Sequence, residues 1–157
     1  MPSLLIVIPL FAIIVLNLPF MQRFMHRIAF WFASSFYCVQ AAIAVSHHPR
    51  FGGGSAGTFD PFFKTSFSLD HLSFLMFLLI AVVSLASLII ARSTMFEDEE
   101  RFKFINLLII TSIGMSGIIM VRDLFSLYIF LEITSISSFI LIAFRKDREA
   151  LEGAFKY

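Results

Sequence analysis

The residue best placed to do chemistry is Glu132, a lone carboxylate near the middle of an apolar run from Asp123 to Phe144. An ionisable group at the centre of a hydrocarbon span costs on the order of 3 kcal/mol on insertion scales, so it marks a functional site by default. Proton or ion transfer is the chemistry a carboxylate offers there. Every other acid lies in a loop or at a segment end. At about 100° per residue on a helix, Phe125 and Phe139 fall about 20° from Glu132, Tyr128 about 40° and Ser135 about 60°, so these share its face. Thr134, Ser137 and Ser138 fall on the far side, a small-residue stripe suited to close packing against another helix. No cation lies inside the other apolar runs. Either desolvation keeps Glu132 protonated, or its partner comes from residues or subunits outside this chain.

The remaining chemistry-bearing residues have simpler explanations. His47-His48 has no cysteine or carboxylate at ligand spacing, so a solvated loop explains it better than a metal site. Gly52-Gly-Gly54 lacks both the Gly-Lys-Ser/Thr ending and the preceding strand that a phosphate-binding loop needs. Gln40, near the end of an apolar run, suits an interhelical hydrogen bond. Asp70, like Ser68, sits where a helix N-cap belongs. No nucleophile–base pair, metal cluster or nucleotide loop is present, so the chain has no catalytic site of its own, and no cofactor is expected. The single cysteine, Cys38, excludes an internal disulfide framework.

The elements that must hold Glu132 follow from composition. Of 157 residues, 59% are hydrophobic and only 15% charged, with a mean hydropathy of +0.89. That is the composition of an integral membrane protein. At roughly 20 residues per span there is room for about five spans and no soluble domain. The expected fold is an all-α, polytopic transmembrane helical bundle. Two spans fill residues 1–46, the first over Ser3 to Leu18 and the second over Ile28 to Val45, with a basic turn of Arg23, His26 and Arg27 between them. A glycine- and proline-punctuated external loop covers 47–68, with a small hairpin or interfacial strand expected at Phe62 to Phe67. Spans three to five fill 69–144, over Phe74 to Ala91, Phe104 to Val121 and Asp123 to Phe144. The charge run Glu97 to Lys103 opens the fourth as a solvated turn, and Ser112, Gly114, Ser116 and Gly117 within it read as packing residues. Residues 145–157 form a cytoplasmic turn and the start of a sixth helix. No basic residue precedes the first apolar run, so a cleaved signal peptide is not expected.

Positive charge prefers the cytoplasm. The connections after spans one, three and five hold eight Lys and Arg residues, against three after spans two and four. This puts the N-terminus and the glycine loop outside, in what is expected to be a prokaryotic cell inner membrane. The partners expected are membrane lipid and other membrane subunits. A net charge of +1 gives no footing for nucleic acid.

The run Gly114-Met-Ser-Gly117, then Arg122-Asp-Leu-Phe-Ser-Leu-Tyr-Ile-Phe-Leu-Glu132-Ile-Thr-Ser-Ile-Ser-Ser138, then Ala150-Leu-Glu-Gly-Ala-Phe-Lys-Tyr157, resembles the N-terminal part of the antiporter-like membrane subunits. These are shared by respiratory complex I (NADH-quinone oxidoreductase), the membrane-bound hydrogenases and the Mrp-type cation/proton antiporters. Leu69-Asp-His-Leu-Ser73 is similar to the family's lead-in to its third helix, and the resemblance covers roughly residues 65 to 157. It implies a fold of about fourteen helices in two inverted five-helix repeats, and ion translocation coupled to a redox complex or to antiport. It also implies that Glu132 pairs with a lysine of a seventh helix, in a chain of buried ionisable groups. Asp123 and Lys156 match family positions at helix ends, where capping and interfacial roles are the simpler reading. With Tyr128 and Ser135 they are the candidate supporting residues. This chain stops before a seventh helix, so a C-terminal half must supply the lysine, and the chain reads as a truncated or split subunit. A structural membrane subunit without ion conduction is the alternative.

Overall fold

The computed structural model describes residues 9–11, 13–14, 22–47, 58–60, 65–67, 70–94, 97–145 and 147–156, with side chains of the first long helix described over 29–42. Five α-helices are numbered here: α1 (Gln22–His47), α2 (His71–Thr94), α3 (Asp98–Met120), α4 (Leu124–Ile142), followed by a 3₁₀ turn over Ala143–Arg145, and α5 (Arg148–Lys156). Between α1 and α2 lies an antiparallel hairpin of β1 (Thr58–Asp60) and β2 (Thr65–Phe67), registered Thr58 to Phe67. The hairpin begins four residues before the alternating stretch from Phe62 that suggested it. The architecture is the expected all-α membrane bundle. Among the described residues, Leu72–Thr94, Asp98–Met120 and Leu124–Arg145 are long and apolar enough to cross a membrane. Most of the first expected span, and Ser68, lie outside the described residues.

One expectation needs correction. Arg23, His26 and Arg27 do not form a turn; they continue α1, which starts at Gln22. Neither proline nor glycine interrupts this stretch, and glutamine, arginine and methionine are good helix formers. At 26 residues α1 is about 39 Å long, against a hydrocarbon core of about 30 Å, so helical structure and a basic segment beyond the hydrocarbon are compatible.

The packing follows from where small residues recur. In α2 the buried residues Phe74, Phe77, Ala81, Ser84, Leu88 and Ala91 repeat every three or four positions, whereas Leu75, Leu79, Val82, Ile89 and Ile90 are exposed. That is an inward seam with an apolar outer face suited to lipid. Ala29, Ala33, Tyr37 and Gln40 form the corresponding buried stripe of α1. Helix α3 is buried on nearly every side and packs against α1, α2 and α4, making it the centre of the bundle. Phe77 and Leu88 of α2 join Phe102, Ile105, Ile109, Ile113 and Met120 of α3 in the core.

Local signals fix the helix ends. Asp70 caps α2: its carboxylate accepts from the Ser73 hydroxyl at 2.7 Å and the Ser73 amide at 2.8 Å. The Ser73 hydroxyl and then the Ser73 amide hold the Asp70 carboxyl below its ordinary value, with a lesser attraction from Arg122. At the opposite end of the bundle the Arg92 guanidinium lies over the rings of Phe30 and Trp31, 4.9 and 5.8 Å from their centroids, joining the end of α2 to α1. Replacing Asp70 with alanine is expected to remove the cap and about 1 kcal/mol of stability. Because folding lowers the Asp70 pKa, this contribution is present at neutral pH and is lost as pH falls through the lowered value. Denaturant titrations of both proteins in micelles, at neutral and acid pH, would show a gap that closes in acid; an equal gap at both would refute the role.

Candidate ion-translocation site

Helix α4 is held by one seam. Val121 ends α3 with its amide bonded to the Gly117 carbonyl at 3.0 Å, and Asp123 starts α4 by accepting from the Ser126 amide at 2.8 Å. Only Arg122 separates these two caps, so α3 and α4 run antiparallel in close contact. Gly114 and Gly117 face α4: a Cβ on Gly114 would strike the Thr134 hydroxyl, and one on Gly117 would strike the Phe130 ring. Thr134 and Ser137 turn their hydroxyls onto their own helix, bonding the carbonyls of Phe130 at 2.8 Å and Ile133 at 2.6 Å. Self-satisfied hydroxyls and glycines let two membrane helices approach closely. Ser137 is the buried residue of α4.

Around Glu132 the far face of α4 is not covered by any other described element. Phe125, Tyr128, Glu132, Ser135 and Ile136 are all exposed there, Phe125 at 76% and Tyr128 at 61%. Glu132 is the ninth of the 19 residues of α4, and so lies at mid-helix. The Tyr128 hydroxyl, one turn earlier, hydrogen-bonds its carboxylate. The structure therefore brings Tyr128 to Glu132 and leaves Ser135 beside them on the same face. Asp123 is at the end of the helix, occupied as a cap. Lys156 is the last residue of α5, which folds back so that Phe155 meets Phe139 edge to face at 6.1 Å. No ion pair joins Lys156 to Glu132 among the described residues.

Sequence reasoning missed a second polar group. Tyr37 of α1, Ser84 of α2 and Ser112 of α3 meet in the core, with Ser112 Oγ at 2.9 Å from the Tyr37 hydroxyl and 3.1 Å from Ser84 Oγ. Ser112 thus has a bonding role across helices beyond the packing expected of it. On the wheel of α3, Ser112 lies about 160° from Gly114, so this cluster and the Glu132 face are on opposite sides of the bundle. The expected interhelical bond of Gln40 is not made by its Oε1, which is buried with no partner among the described residues. Nor do the described residues include three or more His, Cys, Asp or Glu grouped to hold a metal ion.

No family model matches the chain. It is 27% identical over its whole length to NADH-quinone oxidoreductase subunit N 2 of Symbiobacterium thermophilum, of which it covers 32%. Over 60% of the chain it is 35% identical to NADH-quinone oxidoreductase subunit N of Methylobacterium nodulans, covering 20% of that subunit. A similar match, 33% identical over 58% of the chain, is to NAD(P)H-quinone oxidoreductase chain 5 of a Picosynechococcus species. The chain thus spans about a third or less of the curated relatives it matches. Among solved structures it superposes over 99% of its length, with a TM-score of 0.80 and 27% identity, on a chain of the membrane-bound sulfane sulfur reductase, an archaeal respiratory membrane complex, covering 33% of that chain. In sequence and in fold, the chain is similar to the antiporter-like membrane subunits of respiratory complexes, as the residues around Glu132 suggested.

Proposed function

We propose that this chain is part of an ion-translocating antiporter-like subunit, in which Glu132 is a proton-relay carboxylate coupled to a quinone- or hydrogen-linked redox complex. The observation that carries this reading is the position of Glu132: mid-helix, on a stretch of α4 that no other described element covers, and joined to the hydroxyl of Tyr128. A carboxylate on such a face would be penalised by lipid, so the reading includes a neighbouring element supplying a cation, a lysine of a C-terminal half. Protonation of Glu132 would then depend on how close that cation sits and how well the pair is hydrated. The similarity to respiratory-complex subunits supports partners of this kind. The count of positive charges supports an outside N-terminus, with α4 running from outside to inside a prokaryotic inner membrane.

The test is proton movement by the assembled complex in sealed vesicles. Loss of pumping in Glu132→Gln, with the complex intact, supports the relay, and unchanged coupled transport rejects it. Impaired assembly, with normal transport by whatever complex does assemble, would instead mark Glu132 as a docking residue in a non-conducting structural subunit.

A further inference from the structure

The end of α2 carries a cation that no described carboxylate cancels. Ion pairs among the described residues join Arg101 to Asp98, Lys103 to Glu99, Arg145 to Asp147 and Arg148 to Glu152. Arg92 is in none of them. Its described contacts are with Phe30 and Trp31, two rings that stand edge to face at 83° with centroids 5.8 Å apart, and its guanidinium lies over both. An aromatic ring attracts a cation through its quadrupole but has no net charge, so the positive charge of Arg92 is held in place without being neutralised. Contact with a ring occupies the flat face of a guanidinium and leaves the N–H donors around its edge, a fixed fork that matches two oxygens of a phosphate. The described arginine hydrogen bonds come from Arg101 and Arg148, so among the described residues the fork of Arg92 is open.

Depth and surroundings say what kind of anion fits. Arg92 lies near the end of the apolar span that starts at Leu72, a rise of about 30 Å, which is the thickness of the hydrocarbon core. That puts its guanidinium at the level of lipid phosphates. The surface beside it is apolar and faces outward: Trp31 is exposed, and so is Ile89, three positions before Arg92 on the same face of α2. Tryptophan is favoured at the boundary between headgroups and hydrocarbon, and exposed isoleucine below it suits an acyl chain. The apolar surface favours a lipid over a soluble phosphate, and the uncancelled charge favours a headgroup that is negative overall.

We propose that Arg92, Phe30 and Trp31 form a binding site for an anionic phospholipid. The rings hold the guanidinium in place, its N–H fork binds the phosphate, and the surface of Trp31 and Ile89 takes an acyl chain. The site joins the end of α2 to α1 and shares no residue with the Glu132 face.

Trp31 is the single tryptophan of the chain, so its fluorescence reports this site alone. The full chain is placed in phosphatidylcholine nanodiscs containing a small fixed fraction of dibrominated lipid, either phosphatidylglycerol or phosphatidylcholine, with the bromines high on the acyl chain. Bromine quenches an indole only at close contact, so quenching counts the labelled lipid beside Trp31. The expected result is quenching that corresponds to roughly fivefold enrichment of phosphatidylglycerol over phosphatidylcholine, the scale of one basic residue at an anionic surface. Equal quenching by the two lipids in the wild-type chain would overturn the proposal, and that comparison needs no variant to fold. Arg92→Gln should remove the enrichment, whereas Lys103→Gln, which takes one positive charge from the same end of the bundle, should leave it. An enrichment that survives in Arg92→Gln, or that falls equally in both variants, would also overturn the site, by reducing it to diffuse attraction between anionic lipid and a basic end.

Discussion

Replacing Glu132 with glutamine is expected to lower coupled proton movement by about a hundredfold, the scale on which a positioned proton-transfer group acts, with little effect on the stability of the helices. Glutamine keeps the size and reach of glutamate and its ability to accept from Tyr128, but it has no proton to take up or release at any relevant pH. Little else in the fold depends on the charge. The face is exposed, and the Tyr128 bond runs within the helix, so the stability change should be about 0.5 kcal/mol or less, as for a surface position. Vesicle pumping assays and thermal unfolding of the same preparation give the two numbers. A large fall in both would mean that the carboxylate holds the assembly together instead of passing protons.

The second large effect is expected at the opposite face of α4. Gly114→Val should destabilise the α3–α4 pair by roughly 1–3 kcal/mol, the range for forcing extra carbons into a packed contact. The added Cβ would meet the Thr134 hydroxyl, and behind it the Thr134 amide nitrogen at 3.1 Å and the Phe130 carbonyl oxygen at 3.3 Å. Rotating Thr134 away would break its bond to Phe130 and still leave the two backbone atoms in place, so α4 as a whole has to move. Thr134→Ala should therefore rescue only part of the loss. The three atoms nearest a Cβ on Gly117 all belong to the Phe130 ring, with no backbone atom among them, and a ring can turn, so Gly117→Ala should be the milder change. Chemical denaturation in mixed micelles separates these expectations; equal stability of Gly114→Val and wild type would show that the seam is looser than its geometry.

What the sequence made legible was local. The angular offsets around Glu132 depend only on helical pitch, and so did the assignment of Thr134 and Ser137 to the packed side. The caps at Asp70 and Asp123 are bonds to residues three positions ahead, a range at which residue type alone is informative. The Tyr37–Ser112 bond spans 75 residues and the Ser84–Ser112 bond 28. Nothing in one chain's spacing says which turns of three helices will meet. Serine in an apolar run also has a self-sufficient explanation, bonding its own helix, as Ser137 does. The start of α1 was misjudged for a different reason: basic residues were read as the end of a helix, when they mark only the end of the hydrocarbon.

The single residue between the two caps bears on how the chain enters a membrane. With Val121 closing one helix and Asp123 opening the next, α3 and α4 have the geometry of a hairpin that can leave the translocation machinery as one body. In that form Thr134 and Ser137 arrive already facing the glycines of α3, and their polar atoms never need to be partnered by lipid. Glu132 remains the one carboxylate at mid-helix on the outer side of the hairpin. Its partition cost of roughly 3 kcal/mol is spread over a pair of apolar helices instead of being carried by one. A joint insertion of this kind would allow a working carboxylate to reach mid-membrane before any counter-charge is there to meet it.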